Sequence, residues 1–454
     1  MTDPHALIAK DKQYIWHPFT QMADWLAAEP LIIERAEGNT LIDIHGQRYF
    51  DGVSSLWVNV HGHHHPHIDA AIRAQLDRVA HSTMLGLSSV PAIALAEKLV
   101  AIAPPGLAKV FYSDNGSTAV EIAVKMAYQY WAQRGRPEKR RFVALASAYH
   151  GDTIGSVSVG GIDLFHQIFG GLLFDALRVP TPYWYRCDDA PDPSACRDLC
   201  LAGLARTLET HGREIAAFVV EPLVQGAAGM LLQPEGYLRE AAALCRRHDV
   251  LLIADEVATG FGRTGTMFAC AQEGVSPDLM CVAKGISGGY LPLAATLATD
   301  EIYSAFLGSY AERRTFFHGH SYTGNPLACA AAIASLEVFE RERVLESLPR
   351  KIVALRDALQ AKVAPLAHTG QIRQRGLMVG IELVKDRASR EEYPYETAIG
   401  ARVCLALRRR GFILRPLGAV VVLMPPLSVT LEEVAALVEH TAVAIREVTE
   451  AEAG

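Results

Sequence analysis

Between Lys109 and Ala298 the chain returns repeatedly to short runs that are apolar throughout: Lys109–Tyr112, Phe142–Ala146, Ala216–Val220, Val250–Ala254, Leu279–Ala283 and Leu293–Ala298. A strand with one wet face alternates apolar and polar residues; a run without alternation must be covered on both faces. Stretches with helical periodicity, such as Thr118–Ala132 and Tyr237–His248, stand between these runs and supply the cover. The pattern predicts an α/β domain built on a mainly parallel sheet.

The flanks read differently. Leu31–Asp51 is broken at Glu37-Gly38-Asn39 and His45-Gly46-Gln47, which predicts a small meander of strands. A helix is expected over Pro66–Ala80, with Ile68, Ile72, Leu76 and Val79 on one face. Another begins near Asn325-Pro326 and leads out of the α/β region at about Arg341. Beyond it, expected strands around Leu377–Leu383 and Phe412–Leu414, with helices around Thr397–Arg410 and Leu431–Val448, describe a smaller α+β unit. The expected division is 1–70 as the N-terminal part of a small domain, 71–335 as a large cofactor-binding domain, and 336–454 as the C-terminal part of the small domain.

Composition removes several classes. The 454 residues carry 43 Lys and Arg against 50 Asp and Glu, a net charge of -7, without the basic excess that binding to nucleic acid requires. No apolar run reaches the roughly 18 residues of a membrane helix. The N-terminal MTDPHALIAKDKQ has neither a secretory h-region nor an Arg-rich transit pattern, so a cytoplasmic protein is expected. The 8 cysteines form no C-x-x-C pair, which favours reduced thiols, and Cys196 and Cys200 would need two further ligands to hold zinc. No metal is expected.

Four strand ends carry chemistry. Leu251–Ala254 runs into Asp255-Glu256, and an acid at the carboxyl end of a buried strand stands where open α/β sheets bind ligands. Alone it could equally be a helix cap. Asp278–Ala283 runs into Lys284; a lysine desolvated at a strand end has a lowered pKa and becomes a nucleophile, although a lysine can also snorkel to solvent. Ser113-Asp114-Asn115-Gly116-Ser117-Thr118 opens a helix and suits either a phosphate site or an ordinary N-cap. Tyr149 in Tyr149-His150-Gly151-Asp152 could stack on a flat ring or belong to the core. Together they offer a phosphate cradle, a stacking ring, an anion and an amine on one sheet edge, a set that matches the needs of pyridoxal 5'-phosphate.

Leu252–Val257, Gly260-Phe261-Gly262-Arg263-Thr264-Gly265, Asp278-Leu279 and Lys284 resemble, at the expected spacing, the signature of class III (ω-type) aminotransferases. Ile15–Thr20, Tyr149–Thr153, Val224–Ala227, Arg415–Gly418 and Met424–Pro426 extend the likeness over nearly the whole chain, towards the branch that aminates 8-amino-7-oxononanoate in biotin synthesis. The resemblance implies the type I pyridoxal-phosphate fold and a homodimer with shared active sites. It implies that Lys284 is the Schiff-base lysine and proton shuttle, that Asp255 pairs with the pyridinium and that Tyr149 stacks on the ring. Gly116 and Ser117 would hold the phosphate, with Ser321 reaching it from the other subunit; the family more often has Thr there. Arg415 would bind the far carboxylate of the substrate, and Phe19, Leu56, Trp57, Tyr149 and Gly319 would line its pocket. The amino donor implied is S-adenosylmethionine, which most of the family uses, or L-lysine; Leu56 and Phe19 are similar to the members that use lysine and favour it. A general ω-amino acid or diamine:pyruvate transaminase would share the same core.

Three rivals are weaker. Gly260–Gly265 is formally G-x-G-x-x-G, but a dinucleotide fingerprint follows its strand directly and opens a helix, whereas Asp255–Thr259 intervene here. The group His61, His63, His64, His65 and His67 lacks a helical H-x-x-x-H face or an acidic second ligand. A non-catalytic scaffold has no reason to bury a lysine beside an acid at strand ends.

Overall fold

The computed structural model describes residues 3–453; Met1, Thr2 and Gly454, which belong to the ends of the segments considered above, lie outside it. The apolar runs form a seven-stranded sheet. In chain order its strands are β1 (Leu107–Ser113), β2 (Arg141–Leu145), β3 (Leu177–Val179), β4 (Ile215–Val220), β5 (Leu251–Asp255), β6 (Leu279–Val282) and β7 (Ala294–Thr299). Across the sheet they lie in the order β1-β7-β6-β5-β4-β2-β3. All pairs from β6 to β3 are parallel, while β7 runs antiparallel to both β6 and β1. The sheet is thus mainly parallel, as the runs predict, with one reversed strand.

Burial explains the missing alternation. Phe142 and Ala144 of β2, Ala217 and Val219 of β4, and Leu251 and Ile253 of β5 pack with the helix Gly116–Gln133 on one face. Val143 and Leu145, Phe218 and Val220, and Leu252 and Ala254 pack on the other face with the helices Pro193–His211 and Tyr237–Arg247. Both faces are dry, so each strand position is apolar.

The expected meander forms as strands Ile33–Glu37, Thr40–Asp43 and Arg48–Asp51, and the last of these pairs in parallel with Phe412–Ile413 from the far end of the chain. A second sheet joins Thr369–Arg375, Met378–Asp386, Arg415–Leu417 and Val420–Leu423. The helix expected over Pro66–Ala80 stops at Leu76. Ile68 is fully buried against the core, but Leu76 and Val79 are exposed, so the apolar stripe overran the packed face. The helix expected from Thr397 starts at Ile399, after a short 3₁₀ turn at Tyr395–Thr397. No helix among the described residues is long and apolar enough to cross a membrane.

Candidate active site

The carboxyl ends of the parallel strands open on one edge of the sheet, and a cavity of about 680 Å³ lies there. Each strand delivers one piece of its wall. Asp114–Ser117 follow β1, Tyr149–Thr153 follow β2, Glu221 follows β4, Asp255 ends β5, and Lys284 follows β6. Because β7 is reversed, the segment Tyr290–Leu293 that enters it closes the same edge.

Lys284 sits in a 3₁₀ turn, Lys284–Ser287, with φ of +45°. Its ammonium lies 5.3 Å from the ring centroid of Trp57, and burial pushes its pKa down while Asp255 and Glu221 oppose that shift. Asp255 is buried and held by two contacts. One oxygen accepts the Val257 N–H at 3.0 Å, and the other meets Nδ1 of the fully buried His150 at 2.7 Å. The Nε2 atom of His150 has no partner among the described residues. A carboxylate fixed in this way holds its charge in place and is poised as a counter-ion.

The helix Gly116–Gln133 begins with both readings of its sequence realised. Asn115 caps it by accepting the Thr118 N–H at 3.0 Å, while the N–H groups of Gly116 and Ser117, in the first turn, have no intrahelical acceptor. The Ser117 hydroxyl donates to Thr153 Oγ1 at 2.9 Å, and the Thr153 N–H returns to Ser117 Oγ at 2.8 Å. A Cβ on Gly116 would fall 2.5 Å from the Val257 side chain, and one on Gly151, at φ +115°, would fall 2.4 Å from Ser117. Two glycines therefore keep the cradle open for an anion. Tyr149 presents its ring to the cavity and donates its hydroxyl to Asp152 at 2.8 Å; burial and then Asp152 push its phenol up. Amine, fixed anion, ring and anion cradle fit pyridoxal phosphate.

The structure thus brings Lys284, Asp255, Tyr149, Gly116, Ser117 and Trp57 to one wall. The other expected residues are elsewhere in the chain's own surface. Phe19 is exposed and reaches the site at one remove, its ring 5.5 Å from Phe165, which lies 6.3 Å from Tyr149. Leu56 is exposed beside Trp57. Gly319 and Ser321 lie on an exposed segment outside the cavity wall. Arg415 is half-buried on its strand, with no hydrogen bond or ion pair among the described residues. The histidines of the 61–67 loop are taken by neighbours: His63 by Asp51, His65 by Glu342, His67 by Glu337 and His61 by Ser335. Gly260–Gly265 opens no helix, and its Arg263 is buried away from the cavity.

Sequence reasoning passed over Glu221 and His150. Glu221 is buried, with its pKa pushed up to about 7 by desolvation, and it accepts the N–H groups of Tyr149 at 3.1 Å and Gly226 at 2.8 Å. The signal was present, since Glu221 ends the apolar run Ala216–Val220 just as Asp255 ends its own. His150 offered no signal apart from its neighbours.

This fold and this site define a class of enzyme, the pyridoxal-phosphate-dependent transaminases of fold type I. The Aminotransferase class-III family matches residues 22–445, and the chain belongs to that family. It is similar to an adenosylmethionine-8-amino-7-oxononanoate aminotransferase of Nitratidesulfovibrio vulgaris, 61% identical over 97% of this chain and 81% of the relative. A protein of the same name from Geobacter sulfurreducens is 55% identical over 98% of this chain and 99% of its own. Among solved structures, the adenosylmethionine-8-amino-7-oxononanoate aminotransferase of Methanocaldococcus jannaschii superposes with a TM-score of 0.94 at 47% identity, covering 98% of this chain and all of that one (100%). A thermostable (S)-enantioselective omega-transaminase from Thermomicrobium roseum also superposes at 0.94, with 36% identity over 99% of each chain.

Proposed function

We propose that the protein transfers an amino group to the ketone of 8-amino-7-oxononanoate, giving 7,8-diaminononanoate for biotin synthesis. The near full-length likeness to relatives named for that substrate carries the reading. The enzyme acts in the cytoplasm as a homodimer with shared sites. Its small domain joins residues 1–70 to 336–454 around the large domain 71–335, a division supported by the pairing of Arg48–Asp51 with Phe412–Ile413.

Pyridoxal phosphate, when bound, supplies a carbonyl that captures amines and a ring that withdraws electrons from the carbon losing its proton. The chain supplies the rest. Lys284 Nζ holds the cofactor and accepts the proton that leaves the donor carbon; its lowered pKa favours the free amine that this requires. Asp255, anchored by His150, would pair with the ring nitrogen of the bound cofactor. Tyr149 would stack on the ring, and the N–H groups of Gly116 and Ser117 would hold the phosphate together with the partner subunit's Ser321. Arg415 grips the far carboxylate through two parallel hydrogen bonds, which a lysine cannot reproduce.

L-Lysine is the amino donor in this reading. Leu56 offers no flat face for a sulfonium or an adenine, an interaction worth about 0.5–2 kcal/mol, and Phe19 has no hydroxyl for a polar donor. The names of the relatives favour S-adenosylmethionine, the second reading. Loss of the bound cofactor's absorbance with each donor separates the two, and its recovery with 8-amino-7-oxononanoate or pyruvate tests the acceptor. Bleaching by lysine and recovery with 8-amino-7-oxononanoate are expected. Recovery with pyruvate alone would instead make the protein a general ω-amino acid or diamine transaminase.

A further inference from the structure

The cavity wall that carries Trp57 is a turn whose backbone is strained along its whole length. Four consecutive non-glycine residues have positive φ: 52° at Ser54, 58° at Ser55, 131° at Leu56 and 66° at Trp57. For L-residues each of these is disfavoured by contact between Cβ and the neighbouring carbonyl, and such a conformation persists only where its surroundings over-determine it.

Two buried charges grip this turn from opposite sides. The side chain of Asp51 is fully buried (0% exposed), and it accepts the Ser55 N–H at 2.7 Å on one oxygen and the Ser55 hydroxyl at 2.7 Å on the other. His63 Nε2 lies 2.9 Å from that second oxygen and holds the carboxylate in place. From the other side Arg263 donates to Asn59 O at 2.6 Å, to Pro425 O at 2.9 Å and to Ser54 Oγ at 3.2 Å. The Ser54 hydroxyl donates in turn to Met424 O at 2.6 Å. Asp51, His63 and Arg263 form no part of the cavity wall, so they reach the substrate through the turn, while the charge of Arg263 also adds to the lowering of the Lys284 pKa. The residue so delivered is Trp57, whose ring faces the Lys284 ammonium and whose edge would lie 3.4 Å from a Cβ built on Gly226.

We propose that Asp51, His63 and Arg263 are positioning residues for transamination: they clamp the Ser54–Trp57 turn in its strained form, so that Trp57 and Leu56 shape the mouth through which the amine substrate meets Lys284. The proposal rests on the transaminase reading of the cavity and not on the choice of donor. Cofactor retention depends on Lys284, Asp255 and the Gly116 cradle, none of which is hydrogen-bonded to Asp51, His63 or Arg263 among the described residues.

Asp51→Asn keeps the size of the side chain and weakens its grip, and holoenzyme carrying it tests the idea. Amides in peptides covering Val53–Val60 should exchange hydrogen at least tenfold faster. With L-lysine, S-adenosylmethionine and putrescine as amines, KM in the cofactor-bleaching reaction should rise about tenfold for whichever donor the unaltered chain prefers. The saturating rate and the Kd for pyridoxal phosphate should stay within twofold. Adding Ser55→Gly should restore most of the lost affinity, because glycine takes φ of 58° without being held. Should Asp51→Asn not fold, Ser55→Ala on the exposed side of the turn removes the hydroxyl arm and should raise KM about threefold. An unchanged KM, a loss confined to the saturating rate or to cofactor affinity, or no restoration by Ser55→Gly would each overturn the clamp. The identity of the preferred donor bears on the function proposed above; the ratio of variant to unaltered KM bears on the clamp alone.

Discussion

Lys284 and Glu221 are two ionisable groups that burial drives towards their neutral forms within one cavity. For Lys284 the consequence is nucleophilicity. Borohydride treatment of the holoenzyme should attach the cofactor to the peptide containing Lys284, and mass spectrometry finding the label on another lysine would sink the assignment. Lys284→Ala should still bind pyridoxal phosphate through the cradle and Asp255, yet lose turnover by about 10²–10⁴-fold or more. For Glu221 the consequence is a pH-dependent stability. Its folded pKa, about 7, lies above the ordinary carboxylate value of 4.5, so the folded chain binds the proton more tightly than the unfolded one. The stabilisation is present in full below about 4.5 and is lost as pH rises through 7, a change on the order of 3 kcal/mol. Glu221→Gln should flatten the fall in melting temperature between pH 5 and 8; an equally steep fall in the variant would assign the dependence to other groups.

At the scale of elements, the site depends on how tightly the loop after β2 meets the helix after β1. Gly151 marks the contact: its φ of +115° and the 2.4 Å from its would-be Cβ to Ser117 leave no room for a side chain. Gly151→Ala should therefore lower stability by about 1–3 kcal/mol and weaken cofactor binding at least tenfold, by pushing Ser117 out of the cradle. Gly170→Ala is the control, since a Cβ there meets nothing within 4 Å and should leave both quantities unchanged. If both substitutions behaved alike in a titration with pyridoxal phosphate, the close approach would not matter. The strands of the large sheet were plain in the sequence because covering on both faces leaves an unbroken apolar run. The end of the helix after Pro66 was not, because Leu76 and Val79 continue its period onto a surface that nothing covers.

For the molecule as a whole the question is where the remaining wall of the site comes from. Ser321, Gly319 and Phe317 lie on an exposed segment outside the cavity of their own chain, which suits residues that serve a second subunit. Light scattering should give twice the 49.3 kDa chain mass. Ser321→Ala should weaken pyridoxal phosphate binding about tenfold, the worth of one hydrogen bond to a charged group. A hybrid of an unaltered subunit with a Lys284→Ala/Ser321→Ala subunit retains one working lysine. That site should show the weakened affinity if Ser321 acts across the interface, and ordinary affinity if it acts within its own chain.

What the sequence determined by itself was the order of chemistry along the chain: an apolar strand, then an acid; an apolar strand, then a lysine; a strand, then a capped helix that starts on a glycine. These are local patterns, and a buried strand that ends in a charged residue is informative without knowledge of its neighbours. The tertiary structure alone decided which ends share an edge, because strand order and the reversal of β7 arise from pairing between residues far apart in the chain. It alone gave Asp255 its His150, Glu221 its two N–H groups, and the Trp57 turn its clamp of Asp51 and Arg263. His150, Tyr149 and Arg263 stand far along the chain from the groups they hold, Gly226 and Asp51 only a few residues away, and in every case the worth of the contact comes from burial: a hydrogen bond or charge pair gains its strength from the exclusion of water, which only the packed chain provides.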